Sequence, residues 1–373
     1  MIILIAGGKL QAIEAVYLAK ELGWKSVVLD RNARAPAAAM CDQFVQGEIS
    51  DRRRVLPVVE AADMVLPALE EADTLALLEG YCEETGTIFL FDQAAYRLSS
   101  SKLASDRFFK EHRIPAPLYY PDASLPVIIK PDDKSGSAGV QYVDTIETLM
   151  KRDKRGLVIQ EYLEGPSYSV EVIGNGQSFE VLQITEIIVD KNYDCKAVIA
   201  PAAISQEDTQ ELQAIAARLG ALINIQGIFD IEVIKTAQGM KVLEIDARLP
   251  SQTPVSVWYS TGINMLQRIY AYKIGNPDPI CPRALRVCIY KQIQVKENKI
   301  VSLGEHILAD KGPLRIIPNL FGATGMITNY HEDAKEWVAA VIVRGRTQAQ
   351  AECLFQKVIA RIQQTGGFEY REG

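Results

Sequence analysis

In VLEIDARLP, Glu244, Asp246 and Arg248 stand at every second position, with Leu243, Ile245 and Ala247 between them. Residues two apart on a strand share a face. One face therefore carries two carboxylates and a guanidinium, and the other is apolar. A second acidic strand precedes it. IFDIEVIKTAQGMKVLEID reads as a hairpin whose three-residue loop, Ala237 to Gly239, ends on a glycine suited to the left-handed conformation. That register sets Glu232 directly opposite Glu244. Like charges so placed repel, and a cation between them would relieve the repulsion. Arg248 is one candidate. A hard divalent cation is the other, since Mg2+ bridges one or two carboxylates to phosphate oxygens. The ordinary alternative is a solvated hairpin face with an internal salt bridge.

Other residues suit phosphate. Lys130 ends the segment VIIK just before DDKSGSAGV, a Gly/Ser loop between two strands that can fold over polyphosphate with its N–H groups and hydroxyls. Lys102 lies near a helix start, where the dipole disfavours a cation, which suggests a task for it. The strand end IQEYLEG can offer backbone groups to a purine, with Glu161 or Glu164 for amino or ribose groups. Gly7, Gly8 and Lys9 at a helix N-terminus could receive a carboxylate or phosphate. Asp30, ending the next strand, could accept ribose hydroxyls. GGKL lacks the full dinucleotide fingerprint.

These residues need elements to position them. MIILIA, LQAIEAVYLAKELG and KSVVLD read strand, helix, strand. ADMVLPAL, EADTLALLEGYCEET and TIFLFD repeat the alternation, which predicts a doubly wound parallel sheet. SSSKLASDRFFKEH is a helix opened by a serine cap. PVIIKP, VQYVD, LVIQEYL, YSVEVIG and SFEVLQITEII then read as successive strands of an antiparallel α+β unit. After the acidic hairpin come helical and strand-rich stretches and a closing helix. We expect an α/β chain divided at 1–98, 99–180 and 181–373. The 373 residues carry a net charge of −7, which leaves no basic surplus for nucleic acid. Six cysteines without CxxC spacing and three histidines indicate neither a zinc site nor a disulfide framework, and suit a cytoplasmic protein. MIILIA is too short for a signal peptide or a membrane span.

In this order the pieces resemble the ATP-grasp ligase superfamily. Its most specific mark is Glu-x-Asn/Asp-x-Arg on a strand, with a Glu on the partner strand. The superfamily usually has Asn where this chain has Asp246. GGKLQ, YDC at 193–195 and IDARLPSQTP at 245–254 are similar to the 3-methylornithine–lysine ligase family of pyrrolysine biosynthesis. The resemblance covers most of the chain and is weakest after about residue 275. Lys134 and Gly136 depart from the family's loop. The resemblance implies an ATP-grasp architecture with a Rossmann-like first domain, an ATP-lid subdomain and a catalytic subdomain. It implies ATP and Mg2+ as cofactors, with Glu232, Glu244 and Asp246 on the metal. Nucleotide contacts would come from Lys102, Lys130, Ser135, Ser137, Gln160, Glu161, Tyr162, Leu163 and Glu171, with Lys9 and Asp30 as further candidates. Arg248 would be the catalytic residue, stabilising an acyl phosphate and then a tetrahedral intermediate. Leu10, Gln11, Glu70, Asp194, Ser251, Gln252 and Thr253 would hold the amino-acid substrates, 3-methyl-D-ornithine or D-ornithine and L-lysine. A homodimer is allowed for, although no residue fixes oligomeric state.

Three other readings compete. A D-alanine-type ligase or a carboxylase would keep the nucleotide site with a different substrate loop, and SQTP and YDC argue against both. An oxidoreductase would need the missing glycine fingerprint. A non-catalytic nucleotide-binding protein would be expected to lose an acid or the arginine.

Overall fold

The computed structural model describes residues 1–132, 136–277 and 285–372. Among these, the strands form three sheets.

The first sheet is parallel: β1 (Ile2–Ala6), β2 (Lys25–Asp30), β3 (Gln43–Gln46), β4 (Met64–Pro67) and β5 (Ile88–Phe89), in the order β3-β2-β1-β4-β5. β1 reads IILIA without alternation because helices cover both of its faces. The strand order reverses beside β1. The turn after β1, Gly7 to Lys9, and the loop after β4, Ala68 to Glu70, therefore diverge and leave a crevice at the carboxyl ends of the strands. The expected alternation gave no element between residues 31 and 61. The chain there adds β3 and a helix at Arg52–Glu60. TIFLFD is extended only at Ile88–Phe89, because Asp92 already caps the next helix, accepting from Ala94 N and Ala95 N.

The helix Lys102–Glu111 starts at the expected serine cap, with Ser101 Oγ accepting from Ala104 N at 3.1 Å. β6 (Val127–Pro131), β7 (Gln141–Val143) and β8 (Leu157–Glu161) then form a small antiparallel sheet in the order β7-β6-β8. It has its own core of Val127, Ile129, Val143, Leu149 and Ile159.

The third sheet takes β9 (Ser167–Gly174), β10 (Phe179–Val189), β11 (Cys195–Ala200), β12 (Ile228–Thr236), β13 (Gly239–Asp246) and β14 (Val287–Lys296). It continues through β15 (Lys299–Ser302), β16 (Arg315–Pro318), β17 (Gly325–Thr328), β18 (Trp337–Gly345) and β19 (Glu369–Glu372). Its main path runs β13-β12-β9-β10-β11-β14-β18-β17-β16. β9 thus pairs with the acidic hairpin and β10 with β9, neither with β6 to β8, and a division after residue 180 falls inside β10. Alternation marks a strand but cannot say which distant strand it joins.

The hairpin sets Glu232 opposite Glu244, by a different route from the expected one. Thr236 pairs with Gly239 across a two-residue connection, and Gly239 has φ +107°. That register alone would miss by one residue. A bulge restores it, because Val233 pairs with Val242 while Glu232 pairs with Glu244. Among the described residues no helix is long and apolar enough to cross a membrane.

Candidate functional site

One face of the third sheet is acidic across three strands. Ser169 and Glu171 on β9, Asp230 and Glu232 on β12, and Glu244 and Asp246 on β13 lie in register: Glu171 opposite Asp230 opposite Asp246, and Ser169 opposite Glu232 opposite Glu244. Carboxylate oxygens of Asp230, Glu232 and Asp246 come within 4.8 Å of one another. Asp230 Oδ1 and Glu171 Oε2 are buried and have no hydrogen-bond partner of normal geometry.

Three cations border the row. Lys102 Nζ lies 3.3 Å from Glu244 Oε2. Lys130, at the end of β6, faces Glu232 and Glu244. Arg248 Nε lies 2.7 Å from Glu70 Oε1, and its Nη2 3.2 Å from Asp246 Oδ2. Burial pushes Glu232 up to about 7, helped by Glu244 and Asp246. Burial likewise raises Asp246 to about 6 against the pull of Arg248, and raises Asp230 too, with Asp246 as its main charged neighbour. Burial would raise Glu244 as well, but Lys130 and Lys102 hold it below its ordinary value. Burial opposes the charge on Lys102 and Arg248. The acids around each outweigh it, so both stay firmly protonated. Five carboxyl groups crowd against three cations, and a hard cation with oxygen ligands would favour the ionised form of those that burial and repulsion hold up.

Two cavities lie beside the row and Arg248. The first, about 320 Å³, is lined by Lys102, Lys130, Ser137, Gln160, Glu161, Tyr162, Leu163, Glu232 and Glu244 among others. The small sheet forms one wall and the acidic hairpin the other. The second, about 670 Å³, occupies the crevice of the parallel sheet and is lined by Lys9, Leu10, Gln11, Asp30, Glu70, Arg248, Ser251 and Glu305 among others. Gly136 lines both. β13 therefore offers Glu244 to one cavity and, two residues past its end, Arg248 to the other.

Several expected residues are engaged otherwise. Asp30 spends one oxygen on the turn after β1, accepting from Gly8 N at 2.7 Å, and the other on the turn after β2, accepting from Asn32 N at 2.7 Å. Glu161 Oε1 accepts from Leu118 N at 2.8 Å. Thr253 is buried beside Glu171, away from both cavities, and burial raises Glu171 to about 7. Gln252 turns toward Glu305. Asp194 is buried and hydrogen-bonded to the His306 ring, off the lining of the second cavity. Ser135 lies outside the described residues. Ser137 Oγ donates to Tyr193 O at 2.7 Å, which ties the Gly/Ser loop to the YDC hairpin. Gln11 Nε2 donates to Glu70 Oε1 at 2.9 Å, so one carboxylate joins the first helix to Arg248.

Three acids in or near the site had escaped notice. Asp230 was legible, since it precedes Glu232 by two in IFDIEV and must share its face. Asp106 and Glu305 were not. Burial pushes Asp106 up to about 6, and Tyr119 Oη donates to it at 2.8 Å. Both owe their position to tertiary packing, and no local pattern marks them.

Residues 99–252 match the ATP-grasp domain family. The chain is 35% identical over 311 residues to the 3-methyl-D-ornithine–L-lysine ligase of Methanosarcina acetivorans, covering 82% of this chain and 84% of that protein. Among solved structures, N5-carboxyaminoimidazole synthetase of Staphylococcus aureus, complexed with ADP, matches with TM-score 0.71 at 18% identity, covering 96% of each chain. The biotin carboxylase domain of Hydrogenobacter thermophilus 2-oxoglutarate carboxylase, solved with MgADP, ADP and bicarbonate, also gives 0.71, at 16% identity, covering 98% of this chain and 89% of that one. At these identities the structural matches show a shared fold, which is the ATP-grasp fold.

Proposed function

From the premise that the chain belongs to the 3-methyl-D-ornithine–L-lysine ligase family of ATP-grasp enzymes, we propose that it joins the carboxyl of 3-methyl-D-ornithine to the side-chain amine of L-lysine. ATP is consumed to ADP and phosphate. One observation supports the reading: β13 and the residues just past it offer Glu244 to a cavity lined by two lysines and Arg248 to a second cavity lined by Gln11 and Glu70. Carboxylate activation needs that juxtaposition, because the γ-phosphoryl must meet the acyl donor at the boundary.

Lys102 and Lys130 hold the phosphates as point charges. The loop through Gly136 and Ser137 closes over them, and Gln160 to Leu163 border the base. Asp230, Glu232 and Asp246 bring carboxylate oxygens within 4.8 Å of one another, an all-oxygen set that fits Mg2+, and Glu244, paired with Lys102, lies beside Glu232 as a further ligand. Mg2+ bound there would offset triphosphate charge and the charge developing on the transferred group.

A carboxylate is a poor acylating agent, and phosphorylation gives it a good leaving group. The planar fork of Arg248 can bind the acyl phosphate with two hydrogen bonds and then stabilise the oxyanion formed on amine attack. Glu70 is placed between Arg248 and Gln11. It orients the lysine side-chain amine toward the acyl carbon, while the turn Gly7 to Leu10 receives the lysine carboxylate. ADP release measured with single amino acids and with pairs tests the reading: release should require both a D-ornithine-type donor and L-lysine.

A further inference from the structure

Glu70 and Arg248 meet at 2.7 Å, yet they come from different sheets. Glu70 follows β4 of the parallel sheet, and Arg248 stands two residues past β13. The helix Gln93–Ser99 bonds to both loops. Asp92 opens it. Its Oδ1 accepts from Ala94 N and Ala95 N, both at 3.0 Å, and its Oδ2 accepts from Gln226 N, just before β12, at 2.7 Å. Ser99 closes it, its Oγ accepting from Ala247 N at 3.0 Å and donating to Tyr96 O at 3.3 Å. Both ends of the helix are thus fixed to the strands of the acidic hairpin.

Tyr96, between those anchors, reaches the other way. Its Oη donates to the Glu70 carbonyl at 2.7 Å. The residue is buried, and its ring lies against Phe91 with centres 5.2 Å apart. Burial, with Glu70 beside it, pushes the hydroxyl up to about 12, so it remains a donor at neutral pH. A buried tyrosine hydroxyl needs some partner. Here the partner is the backbone of the residue that joins the first helix to Arg248. Glu70 is therefore held at two points. Tyr96 holds its carbonyl, and its Oε1 accepts from Gln11 Nε2 at 2.9 Å and pairs with Arg248 Nε. Among the described residues no hydrogen bond engages its Oε2, and the side chain is 33% exposed at the wall of the second cavity.

We propose that Tyr96 is a positioning residue for amide formation: it fixes the Glu70 backbone so that Oε2 meets the acceptor amine beside the acyl carbon held at Arg248. The inference rests on the ligase reading above. Tyr96 touches no reacting atom. It acts on amine attack, the step that uses Glu70, and not on the earlier phosphorylation of the donor, which uses Arg248 and the two phosphate lysines. Without the hydroxyl, Glu70 keeps its side-chain bonds while its backbone is free to shift. A misplacement of about 1 Å in a reacting pair can cost about 100-fold in rate.

The test separates the two steps in Tyr96→Phe, which keeps the ring. Hydroxylamine is a small nucleophile that needs no docking by Glu70. Its nitrogen attacks the acyl carbon, the C–N bond forms, phosphate leaves and the proton passes to solvent, which gives the D-ornithine hydroxamate. With saturating MgATP and D-ornithine, Tyr96→Phe should form hydroxamate within about threefold of wild type, while its kcat/KM for L-lysine falls about 20-fold. Hydroxamate turnover itself shows that the variant is folded. Equal losses with both nucleophiles, or no loss with either, would overturn the assignment while leaving the ligase reading intact. A wild type that forms neither amide nor hydroxamate would overturn both. Should wild type form the amide and resist hydroxylamine, the split of kcat/KM decides. Tyr96→Phe should then lose on L-lysine and keep its value for D-ornithine within about threefold, and parallel losses would refute the proposal.

Discussion

Arg248 touches Glu70 with one nitrogen and Asp246 with another, so its fork is already oriented at the boundary between the cavities. Replacing it with lysine keeps the charge and loses the fork. We expect Arg248→Lys to lower kcat by about 100-fold or more, the scale of a single oriented oxyanion donor. A rate within about threefold of wild type, roughly 0.65 kcal/mol, would make Arg248 structural. The acids behave differently. Asp230, Asp246 and Glu232 crowd one another, and burial with mutual repulsion raises all three. Asp230→Asn should therefore raise the melting temperature of the nucleotide-free protein. Glu244→Gln and Asp246→Ala should abolish turnover with the fold intact, as circular dichroism and steady-state kinetics would show. A lower melting temperature for Asp230→Asn would mean that the acid row is not under charge strain. At this scale the period of two exposed Glu244, Asp246 and Arg248 in the sequence. Glu305 and Asp106 stayed hidden because packing alone brings Glu305 to the second cavity and Asp106 beside Tyr119.

At the scale of elements, the acidic hairpin works because a bulge compensates a shorter turn. Sequence reading reached the right carboxylate pair with the wrong loop, since a turn and a bulge each shift register by one and alternation reports only their sum. Sheet membership was illegible for the same kind of reason. β9 carries the same apolar alternation as β8, yet it joins the acidic strands and supplies Ser169 and Glu171 to their face. The small sheet has its own core and meets the rest across the first cavity. Its loop reaches the YDC hairpin through the Ser137 hydroxyl and the Tyr193 carbonyl. Gly136 to Val140 should gain hydrogen-exchange protection at saturating MgATP, because the loop's N–H groups then have phosphate partners. Equal protection with and without nucleotide would contradict closure of this loop over phosphate.

The whole molecule buries acids that its empty state keeps protonated. Burial raises Glu14 and Glu305 to about 8, whereas in the unfolded chain they titrate near 4.5. The folded state therefore binds more protons than the unfolded state between those values. This contribution to stability is complete below the unfolded pKa and is lost as pH rises through the folded one. The melting temperature of the nucleotide-free protein should fall from about pH 6 to about pH 9, and Glu14→Gln, which keeps an oxygen for Val255 N, should flatten that slope. A melting temperature that rises across this range would contradict the burial of neutral acids. The alternation of strands and helices in the first 95 residues was legible as a parallel sheet, and its strand order, which opens the second cavity, was not. The central claim is amide formation across the boundary between the cavities. Tandem mass spectrometry of the product from 3-methyl-D-ornithine, L-lysine and MgATP tests it most directly. The account predicts one ADP per amide, linked through the lysine side-chain amine with the lysine α-amine free. An amide through the lysine α-amine, or turnover only with D-alanine, would contradict it.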